Sequence, residues 1–261
     1  MVITAERSPG RLGPERNAAI DNEIIRGIVG STAHGTAIEG QDDRDEMGVF
    51  VEPAVNVCGL TPLDHYVYRD QPEGVRSQPG DLDLTLFSLR KFCRMATQGN
   101  PSVLILMWLP DYILLTELGR RLVALRGAFI SKNAGERFLG YLVAQRRALT
   151  GEKTKTVRRP ELVEKYGYDT KFAMHALRLG LQGIEYLTQG RISLPVAEPD
   201  LSTLRAVRSG AVAFDEALAL IRDVEANLRD VLERAQLKAD VAAIDRFLVE
   251  AHRTHWAELG A

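Results

Sequence analysis

The chain has 261 residues, of which 45% are hydrophobic, and its formal net charge is -2. This length allows one large domain or two modest ones with real cores, and the near-neutral charge excludes a general electrostatic affinity for nucleic acid. Apolar runs are shorter than the ~20 residues of a membrane span, and the N-terminal residues lack the apolar centre of a signal peptide. We therefore expect a soluble, cytoplasmic protein that does not contact a membrane.

The cysteine content is low. Cys58 and Cys93 are the two cysteines, and they lie far apart without CxxC spacing. This arrangement indicates neither a zinc site nor a disulfide framework. We expect two reduced, buried thiols.

The predicted elements change in character near residue 115. Residues 1–17 are rich in charge, Pro and Gly, and we expect them to be disordered. From residue 18 to residue 115, short apolar runs alternate with Gly, Pro and Asp clusters, which predicts strands and turns. The clearest runs are 23–29, 46–52 and 83–89.

The second half of the chain has a different periodicity. Apolar residues recur there every three to four positions, which predicts helices. The longest such stretches are 135–149, 170–188, 213–235 and 241–256, and a Pro-containing connector covers 191–202. We therefore predict an α/β part followed by a helical part.

A basic segment follows the first of these helices. Residues 145–159 hold six Lys or Arg against the single acid Glu152. Cations in a flexible loop can follow a phosphate backbone, although such a run is more commonly an ordinary solvated loop. The candidate acceptor-binding residues in this segment are Lys153, Lys155, Arg158 and Arg159.

The segment 27–52, GIVGSTAHGTAIEGQDDRDEMGVFVE, joins two predicted strands through a polar loop. The first strand ends at Gly30 and Ser31, a turn whose backbone N–H groups can approach an anion. Asp43 and Asp45, spaced i and i+2 at the start of the next extended run, point to the same face. Two carboxylates this close repel each other unless a divalent cation lies between them. The pattern predicts phosphoryl-group chemistry.

A third acid opens the run 83–89. Asp83, Thr85 and Phe87 share one face of this predicted strand, and leucines occupy the other. A carboxylate in an otherwise apolar sheet is costly unless it is paired or bound to a metal. Asp81, two residues earlier on the same face, is the competing choice.

Together these motifs resemble the nucleotidyltransferases of the DNA polymerase β superfamily, in which Gly-Ser precedes Asp-x-Asp and an acid-opened strand. The stretches GSTAHGT, DRDEMGVFV, DLTLFSLRKF, GNPS and YGYDTKFAMHALRL are similar to a narrower branch, predicted nucleotidyltransferases associated with RNA repair in bacteria and phages. The resemblance covers residues 23–190. It implies an α+β fold, with a polymerase β-like mixed-sheet catalytic domain over 18–115 and an all-helical C-terminal domain over 116–261.

The resemblance also implies roles for the motif residues. Asp43 and Asp45 would ligate two Mg²⁺ ions, with Mn²⁺ as an alternative, and Asp83 would hold the metal that activates the acceptor hydroxyl. Gly30 and Ser31 would bind the triphosphate of the incoming NTP. An acceptor hydroxyl would then attack the α-phosphate in line, and pyrophosphate would leave.

Four further residues are candidates for nucleotide binding. His34 lies in the loop between the Gly-Ser turn and the aspartates, where it would touch a phosphate or fix the loop. Lys171, His175 and Arg178 are spaced i, i+4 and i+7, which puts them on one helix face that looks either into the cleft or into solvent. The branch often has Ser before the first aspartate, where this chain has Asp42, an extra negative charge beside the metals.

We therefore expect a Mg²⁺-dependent, NTP-dependent and pyrophosphate-releasing nucleotidyltransferase, with ATP among its candidate nucleotides. Its acceptor is expected to be an RNA end, such as a tRNA end, in RNA repair or modification. Two alternatives stay open: a non-catalytic nucleotide- or RNA-binding regulatory protein of the same fold, and a nucleotidyltransferase with a protein acceptor. The intact set of three acids favours an enzyme, and the oligomeric state is left open.

Overall fold

A computed structural model describes residues 13–38, 40, 42–71, 75, 78, 80–152 and 159–260. Within these residues, five strands form one sheet. They are β1 (Glu23–Ile28), β2 (Arg44–Phe50), β3 (His65–Arg69), β4 (Leu82–Ser88) and β5 (Leu114–Leu115). Their order across the sheet is β3-β4-β2-β1-β5. The β2–β4 pair is parallel and the other pairs are antiparallel, so the sheet is mixed.

Helices interleave with the strands and then replace them. The helices before β5 are α1 (Pro14–Ile20), α2 (Gly30–His34), α3 (Ala54–Cys58), α4 (Leu89–Thr97) and α5 (Pro101–Leu104). Those after β5 are α6 (Glu117–Ala124), α7 (Lys132–Leu149), α8 (Pro160–Tyr166), α9 (Thr170–Gln189), α10 (Asp200–Arg208), α11 (Phe214–Arg234) and α12 (Val241–Glu258). Among the described residues, none of the helices is long and apolar enough to cross a membrane.

This architecture confirms the predicted α+β fold with a mixed sheet followed by helices. The three predicted strands correspond to β1, β2 and β4, and the four predicted helices to α7, α9, α11 and α12. The sequence analysis did not predict β3, β5 or the other helices, among them α10, which begins inside the predicted connector. Of the N-terminal segment expected to be disordered, residues 1–12 lie outside the described part, and residues 14–17 begin α1.

The two faces of the sheet contact different cores. Phe50, Leu84 and Leu86 pack with Ala19 of α1 on one face. Val49 faces the other way, into the large core that α4, α7 and α9 complete. Because side chains alternate along a strand, the residues that alternate with these leucines on β4 point toward the helical side. Any site built on that side therefore lies between the sheet and the helices.

The two cysteines differ in exposure. Cys93 in α4 is buried, as predicted. The prediction for Cys58 is wrong, because α3 lies at the surface without burying a residue and leaves this thiol exposed.

The last helix is tied to the sheet by buried polar contacts. His252 Nε2 lies 3.0 Å from Glu52 Oε2, and Trp256 Nε1 donates to the Glu52 carbonyl oxygen at 2.8 Å. Burial alone would raise the pKa of Glu52, but hydrogen bonds from His252 and Ser88 outweigh it and lower that pKa. Burial would likewise lower the pKa of His252, and the bond to Glu52 raises it instead. Both shifts favour the charged forms, and the pair holds α12 against the strand end.

Candidate active site

Three carboxylates converge on the helical side of the sheet. Asp43, Asp45 and Asp83 each offer an oxygen, and these oxygens lie within 4.8 Å of one another. The parallel pairing of β2 with β4 sets Asp45 directly beside Asp83, and Asp43 immediately precedes β2. Asp81, the competing third acid, instead accepts a hydrogen bond from the Gln78 N–H at 2.7 Å in the loop before β4.

The electrostatics of this cluster favour a cation. Burial, followed by the negative charges of Asp43 and Asp83, raises the pKa of Asp45 from 3.8 to about 6. Three carboxylate oxygens at this separation are hard ligands of the kind that Mg²⁺ and Mn²⁺ take. The donor set therefore fits a divalent ion, which would relieve the repulsion that shifts Asp45.

The Gly-Ser turn lies against the same carboxylates. Gly30 begins α2 with φ at 65°, and a Cβ at this position would overlap the Asp45 carboxylate. Any side chain there would both strain the backbone and displace the acid. Ser31 follows in the first turn of α2, whose N–H groups lack intrahelical acceptors, and it lines the cleft.

A basic wall faces the aspartates. Lys171, His175 and Arg178, which the sequence places on one face of α9, all line the cleft. Burial lowers the pKa of Arg178 to about 10. Its guanidinium donates to His34 Nε2 at 2.6 Å and to Gln182 Oε1 at 2.9 Å. In the part of the chain that the structure describes, its bonded partners are thus neutral, and its charge is not matched by a carboxylate.

The two cleft histidines are uncharged. Burial, then the charges of Arg178 and Lys171, lowers the pKa of His175 to about 3. Burial, then Arg178 and His175, lowers the pKa of His34 well below its usual value. Burial is the larger cause of both shifts and the neighbouring cations add to it, so this side of the cleft combines neutral imidazoles with the positive charges of Arg178 and Lys171, which suit a polyanion.

The expectation that His34 lies in a loop is wrong. It is the last residue of α2, buried at 4% exposure, and the Gln182 amide lies 3.2 Å from its Nδ1. Because Arg178 and Gln182 contact different ring nitrogens of His34, the imidazole is fixed in place and orients the Arg178 guanidinium. In the segment between α2 and β2, Asp42 accepts a hydrogen bond from the Ile38 N–H at 2.7 Å, and its carboxylate lies 3.8 Å from Lys171 Nζ.

The cleft between these walls has a volume of about 390 Å³. Beside the charged groups, apolar side chains line it, among them Val29, Met47, Ile105 and Leu179. A cleft of this size is in the range of small-molecule sites. It joins carboxylates on one wall to cations on the other, with apolar surface between them.

Arg69 is a charged cleft residue that the sequence analysis missed. Arg69 on β3 lies opposite Asp83, and its Nε is 3.3 Å from Asp83 Oδ1. Gln71 Nε2 also donates to that oxygen at 3.3 Å. The signal that could have found this strand is the run HYVYR, a short β-branched and aromatic segment between polar residues.

The predicted acceptor-binding loop is largely outside the described residues, because Lys153, Lys155 and Arg158 belong to the part that the structure does not describe. Arg159 is described. Its Nη1 pairs with Asp169 Oδ2 at 3.1 Å, and its guanidinium lies over the Phe172 ring at 5.1 Å. Its charge is therefore already engaged at the start of α9.

The chain was compared with known proteins in three ways. A comparison with curated proteins gave no match. Among solved structures, the crystal structure of a nucleotidyltransferase-like protein from Exiguobacterium sibiricum is similar, with 14% identity, a TM-score of 0.32, and coverage of 92% of this chain and 77% of that one. At that TM-score, the similarity supports no conclusion about the fold or the function of this chain. A family model described as "RNA repair pathway DNA polymerase beta family" matches residues 16–254, so the chain belongs to that family.

Proposed function

We propose that this protein is a cytoplasmic, Mg²⁺-dependent nucleotidyltransferase that moves a nucleoside monophosphate from an NTP to a hydroxyl at an RNA end. The observation that carries the proposal is the convergence of the Asp43, Asp45 and Asp83 carboxylates within 4.8 Å, opposite a buried Arg178 that has no carboxylate partner among the described residues. Family membership agrees with this reading. Carboxylates that hold cations and cations that hold phosphates are the two halves of a phosphoryl-transfer site.

The three aspartates would hold the divalent ions, Mg²⁺ or Mn²⁺. Asp45 lies against Gly30 of the Gly-Ser turn, whereas Asp83 is on β4, the strand next to the edge strand β3. When bound, the ions would supply Lewis-acid stabilisation of charge on the reacting phosphate and lower the pKa of the acceptor hydroxyl. Asp83 is therefore our candidate for the acceptor side.

The basic wall would hold the triphosphate. Arg178 is oriented by neutral His34 and Gln182, so its guanidinium would bind a phosphate without competition from a carboxylate of the described residues. Lys171 would leave Asp42, 3.8 Å away, for a phosphate oxygen. Ser31 and the first N–H groups of α2 would contact the phosphates from the aspartate side. Holding both ends of the nucleotide would orient the leaving pyrophosphate for in-line displacement.

Incubation with labelled substrates tests the proposal. The protein would be given Mg²⁺, each α-labelled NTP in turn, and separate pools of RNA and protein. We expect label to enter RNA, EDTA to stop the reaction, and Asp45→Asn to abolish it. Asp223→Asn, at an exposed carboxylate on α11, is the matched control and should transfer like the parent.

The outcomes separate the remaining alternatives. Label in the protein pool alone would replace RNA by a protein acceptor. Tight Mg²⁺-NTP binding without transfer to either pool would identify a non-catalytic nucleotide-binding protein and refute the enzymatic proposal. Equal transfer by Asp45→Asn and the parent would refute the assignment of the aspartates.

A further inference from the structure

A line of basic side chains leads away from the aspartates along the outer edge of the sheet. It consists of Arg69 and His65 on β3 and of Lys91 and Arg94 on α4, and we call it the edge stripe. Strand β3 is an edge strand, and its residues His65, Val67 and Arg69 pair with Phe87, Thr85 and Asp83 of β4. Directly opposed residues of an antiparallel pair share a face. The stripe therefore lies on the face of the sheet that carries Asp83.

The members of the edge stripe are linked to one another. Arg69 Nε is 3.3 Å from Asp83 Oδ1, with 62% of the arginine side chain exposed. Val67 lies two residues before Arg69 on β3 and presents an exposed apolar surface, and His65 lies two residues before Val67. His65 Nδ1 lies 3.3 Å from Lys91 Nζ, and since an ammonium only donates, the ring nitrogen accepts. The stripe thus continues from the cleft onto the first turns of α4.

The charge balance of the stripe is positive. At its α4 end, among the described residues, the stripe contacts the acid Asp64, whose Oδ2 lies 3.6 Å from Lys91 Nζ and 3.9 Å from Arg94 Nη2. One carboxylate therefore serves two cations, at distances that leave both weakly held. Arg69 contacts Asp83, an acid that a divalent ion would neutralise. A bound anion would find at least two cations available.

We propose that the edge stripe is the binding track for a single-stranded RNA acceptor. This inference rests on the proposed function, in which Asp83 lies on the acceptor side. The hydroxyl end would reach Asp83 and the phosphates behind it would follow Arg69, Lys91 and Arg94, leaving Arg178 and the opposite wall to the NTP. A cleft of about 390 Å³ admits a single-stranded end rather than a duplex. His65 and Val67 offer surface to the sugars and bases between the phosphate contacts.

An RNA-binding titration tests the track. The affinity of the full chain for a short, fluorescently labelled single-stranded RNA would be measured by anisotropy at a series of KCl concentrations. Lys91→Ala with Arg94→Ala removes two phosphate contacts. Since the slope of log affinity against log salt changes by about 0.7 per contact with single strands, we expect it to flatten by about 1.4. Lys91→Arg with Arg94→Lys keeps both charges and should keep the slope.

A gain of affinity provides a second, independent readout. Asp64→Asn removes the carboxylate that competes with phosphates for Lys91 and Arg94, so it should tighten RNA binding and steepen the salt dependence. The matched control is Arg222→Ala with Arg229→Ala on α11, a helix that packs on α7 and α9. This control should bind RNA as the parent does.

The results distinguish this inference from the proposed function. Affinity for Mg²⁺-NTP, measured separately, should be the same in the parent and in Lys91→Ala with Arg94→Ala. If the parent transfers nucleotide to RNA but the double variant binds RNA with the same salt slope as the parent, the track is overturned and the proposed function stands. The track would also be overturned if the salt dependence of RNA binding flattened in the triple variant Lys153→Ala, Lys155→Ala and Arg158→Ala instead, which would favour the basic loop as the RNA-binding segment. A slope that follows the edge stripe in a protein without transferase activity would support the track and refute the enzyme.

Discussion

Replacing Asp45 by Asn should stabilise the metal-free protein. Burial and the neighbouring charges of Asp43 and Asp83 raise the pKa of Asp45 to about 6 from 3.8. One pKa unit corresponds to about 1.4 kcal/mol, so a fully shielded carboxylate with this shift would destabilise the fold by about 3 kcal/mol. Asp45 is partly exposed, and screening by water reduces the expected gain to about 1–2 kcal/mol.

The pH dependence has a defined sign. Well below pH 4, Asp45 is protonated in both the folded and the unfolded protein, and it does not affect stability. As the pH rises from about 4 to about 6, the unfolded chain ionises first, so the free energy of unfolding falls. Above that window the loss is complete. The Asn variant should therefore be more stable than the parent at pH 8 and nearly equal to it at pH 4.

Urea denaturation in EDTA at these two pH values measures the effect. Asp223→Asn on α11 serves as the control and should match the parent at both. Added Mg²⁺ should reverse the order at pH 8, because it binds the folded parent and stabilises it by mass action. An Asn variant that gains no stability at pH 8, or gains the same amount at pH 4, would show that the three carboxylates do not repel as described.

Four further substitutions have defined outcomes. Gly30→Ala should abolish NTP transfer while the protein stays folded by circular dichroism, because its Cβ overlaps the Asp45 carboxylate. Arg178→Ala should raise the KM for NTP about 10- to 100-fold, because a hydrogen bond to a charged group contributes about 1.5–3 kcal/mol. His34→Ala should raise the KM less, since His34 only orients Arg178. His252→Ala should lower the free energy of unfolding by about 1.5–3 kcal/mol at pH 6 in urea titrations, because it removes a charged hydrogen bond from the buried Glu52, which keeps Ser88 and, at 3.8 Å, Arg90 as partners. That loss should shrink at low pH, where Glu52 is protonated, and at high pH, where the raised pKa of His252 is passed.

The local sequence determined much of this fold and of the cleft. Gly30 and Ser31, with Asp43 and Asp45, could be identified because a turn and an i, i+2 spacing act over a few residues. The alternation around Asp83 predicted its face on β4, and a period near 3.6 predicted that Lys171, His175 and Arg178 share one side of α9. These patterns depend on backbone geometry that neighbouring residues impose on one another.

Tertiary structure alone decided which of these faces meet. The parallel pairing of β2 with β4 brings Asp83 beside Asp45 across 38 residues of chain, and α9 turns its basic side toward them from still farther along the chain. His34 acquires its contact with Arg178, and Arg69 its contact with Asp83, only through packing. Such contacts arise because burial of apolar surface selects one arrangement of whole elements, and a short sequence pattern carries no information about a partner far away in the chain.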